Sequence, residues 1–129
     1  MMIADSDVLI DFLRGKGAAA KRIQLELETG RLATTVLSVF ELLGGARGNR
    51  EEERVETLLD ALTILPLDAV AARQAAEIRR DLEKTGRKIA TADSLIAGIC
   101  MSQRGVLLTR NRSHFERITG LHLGTIPES

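Results

Sequence analysis

Short apolar runs alternate with amphipathic segments along this chain. Met2-Ile3-Ala4 is the first run, and it stops abruptly at Asp5. Val8, Leu9, Phe12 and Leu13 then recur at helical spacing, leaving Asp7, Asp11 and Arg14 on the opposite face. A strand followed at once by a helix is expected, with Ser6 as the N-cap because its hydroxyl can accept from an unpaired amide. Gly15-Lys16-Gly17 breaks the pattern, and Ala18 to Thr29 resumes it as a helix stopped at Gly30. Leu32 to Val36, with two adjacent threonines, reads as a second strand. Ser38 is expected to cap a helix through Val39 to Leu43 that runs into Gly44-Gly45 and frays by Gly48.

A charged amphipathic helix follows from Arg50 to Leu62, then a brief strand, Thr63 to Leu65, closed by Pro66. Asp68 can cap a long helix to Lys84 whose Ala71, Ala75, Ile78 and Leu82 fall at core spacing, with Gly86 beyond its end. Ala92 to Gln103 is another helix and Val106 to Thr109 a fourth strand. The polar stretch from Arg110 to His114 reads as a turn, and Leu121 to Leu123 as a short fifth strand. Strands alternating with helices imply an α/β fold: a central, mostly parallel sheet of four to five strands flanked by helices. No repeat or linker divides the chain, so one domain over residues 1–129 is expected.

Composition narrows the possibilities. Hydrophobic residues make up 44% and charged residues 28%, which argues against disorder. With three Phe, no Trp and no Tyr, aromatic platforms for stacking bases are lacking. The 18 basic and 18 acidic residues cancel, so no global basic excess advertises a nucleic-acid binder. Cys100 is the sole cysteine, which rules out an internal disulfide and suits a reducing compartment. No basic leader and no run of membrane-spanning length is present, so a soluble, cytoplasmic protein is expected.

Three acids stand at element ends. Asp5 follows the first strand, where open α/β sheets gather their ligands. Glu41 lies opposite the apolar side of its helix, with Ser38, Gly45 and Gly48 around it. Asp93 falls in a first turn at the edge of an apolar stripe, where Thr91 or Ser94 could orient it. Each has an ordinary account by itself: a turn residue, a solvent face, a helix-dipole partner. Asn111 lies just beyond the fourth strand, and the role of His114 beside Phe115 stays open. Zinc is disfavoured, because His122 is eight residues from His114 and Cys100 has no neighbouring ligand. Oxygen donors alone suit a hard cation such as Mg²⁺, which can polarise a phosphodiester.

Taken together, these motifs resemble the PIN-domain family, specifically its VapC-type toxin endoribonucleases. The resemblance rests on Asp5-Ser6-Asp7-Val8-Leu9-Ile10-Asp11, on Ser38-Val39-Phe40-Glu41-Leu42, on Ala92-Asp93-Ser94-Leu95-Ile96-Ala97, and on Leu108 through Ile118. It implies a Mg²⁺- or Mn²⁺-dependent ribonuclease in which Asp5, Glu41 and Asp93 match the family's three acids, with Ser6, Asp7, Ser38 and Asn111 in support. Asp7 stands where many members have Asn. Asn111 stands where many have a fourth Asp, so the resemblance does not decide between one ion and two. It also implies a small inhibitory antitoxin and a homodimer. Among the basic residues near connections, Arg14, Arg110 and Arg112 are the candidates for positioning RNA phosphates.

Two rivals remain. Asp5-Ser6-Asp7-Val8-Leu9 loosely matches the aspartate-x-aspartate motif of haloacid-dehalogenase-like phosphotransferases, with Asp5 as nucleophile. A non-catalytic module that binds RNA or protein on the same fold is the other.

Overall fold

The computed structural model describes residues 1–126; the last three residues of the expected domain lie outside the described residues. The elements run β1 (Met2–Ala4), α1 (Ser6–Arg14), α2 (Gly17–Thr29), β2 (Leu32–Thr35), α3 (Val36–Gly45), α4 (Asn49–Asp60), β3 (Thr63–Leu65), α5 (Ala69–Lys84), α6 (Thr91–Ser102), β4 (Val106–Leu108), α7 (Arg112–Phe115) and β5 (His122–Leu123). All five strands pair in parallel, in the order β3-β2-β1-β4-β5. The sheet is therefore wholly parallel.

Strand periodicity sends alternate residues to opposite faces. Ile3, Ala33 and Leu107 pack beneath α5, α6 and α7, with Ile78, Ile99 and Phe115. Ala4, Leu32 and Leu108 face the other way, onto Val8, Leu9, Ile23 and Leu58 of α1, α2 and α4. The α5–α6 contact is close: a Cβ added at Gly98 would sit 2.5 Å from the Ala71 carbonyl oxygen and 2.8 Å from the Ala75 Cβ. Only glycine lets the two helices approach so nearly.

Two helix starts differ from the expected ones. Asp5, not Ser6, caps α1: its carboxylate accepts from the Ser6 amide at 2.8 Å, and Ser6 is the first helical residue. Thr35, not Ser38, caps α3, its hydroxyl accepting from the Ser38 amide at 3.2 Å. In both places an extended residue at the strand end supplies the cap itself, so strand and helix join without a linker. The stretch expected to be a turn after β4 contains α7, and Gly44 and Gly45 stay within α3.

Candidate active site

The chain leaves β1 for β2 and β3 on one side, then returns to place β4 against β1 on the other. Connections diverge at that switch, opening a crevice beyond the strands' carboxyl ends. Asp5 sits at its base. Its amide donates to the Leu108 carbonyl at 2.9 Å, prolonging the β1–β4 ladder by one residue. The residue is only 5% exposed, and each carboxylate oxygen accepts a hydrogen bond. The Ser6 amide donates to Oδ1, and the Thr109 hydroxyl donates to Oδ2 at 2.8 Å. Burial raises its pKa to about 6, and the charge on Asp7 adds to this. The Thr109 and Ser6 hydrogen bonds pull the other way, and Glu41 adds a further upward push.

Asp7, placed by periodicity on the face away from the core, is half-buried. The segment after β4 folds over it. The Arg110 amide donates to its Oδ2 at 2.9 Å, and the Thr109 hydroxyl lies 3.3 Å from the same oxygen. Its Oδ1 is buried without any hydrogen-bond partner. Desolvation holds its pKa above the ordinary value against the opposing pull of those contacts.

Glu41 reaches the crevice from α3. Its pKa is raised, first by partial desolvation and then by the charge of Asp93; the Ser6 hydroxyl opposes this and Asp7 reinforces it. Asp93 rises from the first turn of α6, and its Oδ2 lies 3.2 Å from His114 Nδ1. Of the two residues that could orient Asp93, Thr91 and Ser94, the second instead donates its hydroxyl to the Thr91 carbonyl at 2.7 Å. The contact to Asp93 comes from α7, which the sequence pattern did not show.

The other candidates are dispersed around this cluster. Ser38 is buried in the start of α3, tied to Thr35. Asn111 is exposed, and its amide N–H donates to the Thr109 hydroxyl oxygen at 3.1 Å. Arg110 pairs through Nε with Asp11 Oδ2 at 2.7 Å, while Arg112 donates from Nη1 to the Gly124 carbonyl at 2.7 Å. Arg14 and Glu41 share a groove of about 180 Å³ floored by Ile10, Leu13, Leu42 and Val55. Thr109 is the residue that sequence reasoning missed. The only hint was a hydroxyl closing an apolar strand just before a polar turn.

Among the described residues, no three His, Cys, Asp or Glu side chains stand close enough together, as placed, to hold a metal ion between them. The donor chemistry still fits a hard cation. Every nearby acid supplies oxygen, three of them are held above their ordinary pKa values, and one buried oxygen lacks a partner. Mg²⁺ in particular takes one or two carboxylates and keeps several waters.

An all-parallel, doubly covered sheet with acids at its switch point defines a class of α/β proteins that act at the strands' carboxyl edge. Residues 2–121 match the PIN domain. Ribonuclease VapC10 of Mycobacterium tuberculosis is 37% identical over 115 residues, spanning 89% of this chain and 86% of that protein. The tRNA(fMet)-specific endonuclease VapC of Shigella flexneri is 29% identical over 121 residues, 91% of each chain. DNA-bound VapBC from Salmonella typhimurium superposes with a TM-score of 0.80 at 26% identity, covering 95% of this chain and 96% of that one. VapBC2 from Rickettsia felis, bound to a promoter DNA fragment, shares the fold with a TM-score of 0.86 at 21% identity, over 95% and 96% of the two chains. The chain belongs to the PIN-domain family and, within it, to the VapC-type members. No helix among the described residues is long and apolar enough to cross a membrane.

Proposed function

We propose that this VapC-type chain is a Mg²⁺- or Mn²⁺-dependent endoribonuclease, the toxin of a toxin–antitoxin pair, acting in the cytoplasm. One observation carries the reading. Asp5, from the end of β1, is buried beside Asp7 and within the field of Glu41, while Glu41 feels Asp93 across the crevice. Like charges crowded this way raise one another's pKa values and mark functional sites more often than structural ones. The relatives named ribonuclease and endonuclease support the same chemistry.

In this reading Asp5, Glu41 and Asp93 hold the cation, directly or through its waters. When bound, such an ion polarises a phosphodiester and offsets the charge that develops on its oxygens. The chain's own residues arrange the acids around it. Ser6 and Thr109 fix both oxygens of Asp5, and His114 restrains Asp93. Arg14 and Arg110, both exposed, position RNA phosphates without reading sequence. The apolar groove beside Glu41 suits the tail of a small antitoxin, and solved VapBC complexes support such a partner. A homodimer is part of the same proposal.

The family membership sets aside the phosphotransferase reading. The test is cleavage of a mixed RNA pool with Mg²⁺, with Mn²⁺ and with EDTA. Metal-dependent cuts that EDTA abolishes are expected. A protein that melts at the same temperature with and without Mn²⁺ and leaves RNA intact would instead be a binding module.

A further inference from the structure

Asp7 is half explained by the fold. An acid in the first turn of α1 is favoured by the helix dipole, and its Oδ2 anchors the segment after β4 through the Arg110 amide. An asparagine carbonyl would serve that anchoring equally well, without a negative charge beside Asp5. What neither role accounts for is Oδ1. It is buried and has no hydrogen-bond partner. A desolvated carboxylate oxygen without a donor is costly, and the remedies available are a proton, a water or a cation.

We infer that Asp7 is a fourth cation-holding residue, its unpartnered Oδ1 completing on the α1 side the oxygen set begun by Asp5. The inference rests on the nuclease reading of the site and deepens it. The Thr109 hydroxyl then has a defined task. Lying 2.8 Å from Asp5 Oδ2 and 3.3 Å from Asp7 Oδ2, it ties together the outer oxygens of two acids. This leaves Asp7 Oδ1 as the uncommitted oxygen of the pair. Asn111, exposed and linked to Thr109 only through its backbone N–H, has no part in the set.

Titrating Mn²⁺ calorimetrically into the intact wild-type chain and into Asp7→Asn provides the first test. The substitution should weaken Mn²⁺ binding at least tenfold while leaving the metal-free melting temperature unchanged or higher, since a repulsive charge is gone. Wild-type Mn²⁺ affinity in Asp7→Asn would overturn the inference and leave the nuclease reading intact. Failure of the wild-type chain to bind Mn²⁺ would remove both.

A second variant tests contact with the ion directly, even if Asp7→Asn misfolds. Thiolate favours soft cations, so Asp7→Cys titrated with Cd²⁺ should develop an ultraviolet thiolate–cadmium charge-transfer band. The wild-type protein should show none, because Cys100 is buried with its thiol pKa pushed up to about 12. Absence of the band in folded Asp7→Cys would show that residue 7 does not touch the cation.

Discussion

The two sides of the crevice are built to different tolerances. On the β1–β4 side, Asp5 and Asp7 are clamped by backbone amides and by one shared hydroxyl, all just beyond the carboxyl ends of the two central strands. On the α3–α6 side, Glu41 projects from a helix, and Asp93 is restrained by a histidine whose side chain is 56% exposed. The first side is preorganised and carries the electrostatic strain. The second is held by fewer and more exposed contacts. Preorganisation matters because acids already held in place need not be ordered when the ion binds.

Removing the clamped charge should have the largest effect. We expect Asp5→Asn to cut RNA cleavage by about a thousandfold, roughly 4 kcal/mol in the barrier, without loss of metal-free stability. Cleavage kinetics and thermal melting in EDTA measure the two together. Comparable activity in a folded variant would show that the clamped side is not where the chemistry occurs.

The next effect is on stability against pH. Asp5 has a pKa of about 6 in the fold against an ordinary 3.8, so the folded state binds its proton more tightly than the unfolded chain. Stability of the metal-free protein is lowest above pH 6, where Asp5 is ionised, and rises as pH falls through 6 toward 4. The gain is at most about 3 kcal/mol from this group; Asp7 and Glu41 act in the same direction. Urea unfolding in EDTA across that range measures it, and Asp5→Asn should flatten the profile. A wild-type slope of opposite sign would contradict the account of the clamped side.

Thr109→Val should cost about 1–3 kcal/mol by leaving the buried Asp5 Oδ2 without its donor, whereas Thr109→Ser should be nearly neutral. Equal melting temperatures for the two variants would show that the hydroxyl holds neither acid. The smallest effect belongs to the α3–α6 side. His114→Ala should change stability by less than about 1 kcal/mol, as expected for an exposed pair, and weaken Mn²⁺ binding only a few-fold. A loss as large as that of Asp7→Asn would make the two sides equivalent.

Much of the fold was legible along the chain. The segments at residues 2–4, 32–36, 63–65 and 106–109 announced strands, of which the second and fourth each end one residue earlier, and the Ala71-Ala75-Ile78-Leu82 stripe announced α5. Asp5 and Asp93 were legible as candidates because they stand where an element ends or begins, and Glu41 because it lies opposite the apolar side of its helix. Which hydroxyl caps a helix was not, since Asp5 and Ser6, or Thr35 and Ser38, offer the same acceptor a few residues apart. Nor was Gly98, whose need for glycine depends on how closely another helix approaches.

Periodicity and residue type by themselves determined the order of strands and helices, the two-sided core and the acids available for chemistry, because these follow from burial patterns local to each segment. Only the tertiary structure decided that Thr109 reaches across 104 residues to Asp5, that Asp7 is half-buried rather than solvated, and that His114 meets Asp93. Those contacts arise where β4 returns beside β1, and nothing local to either segment encodes which side chains will face each other there.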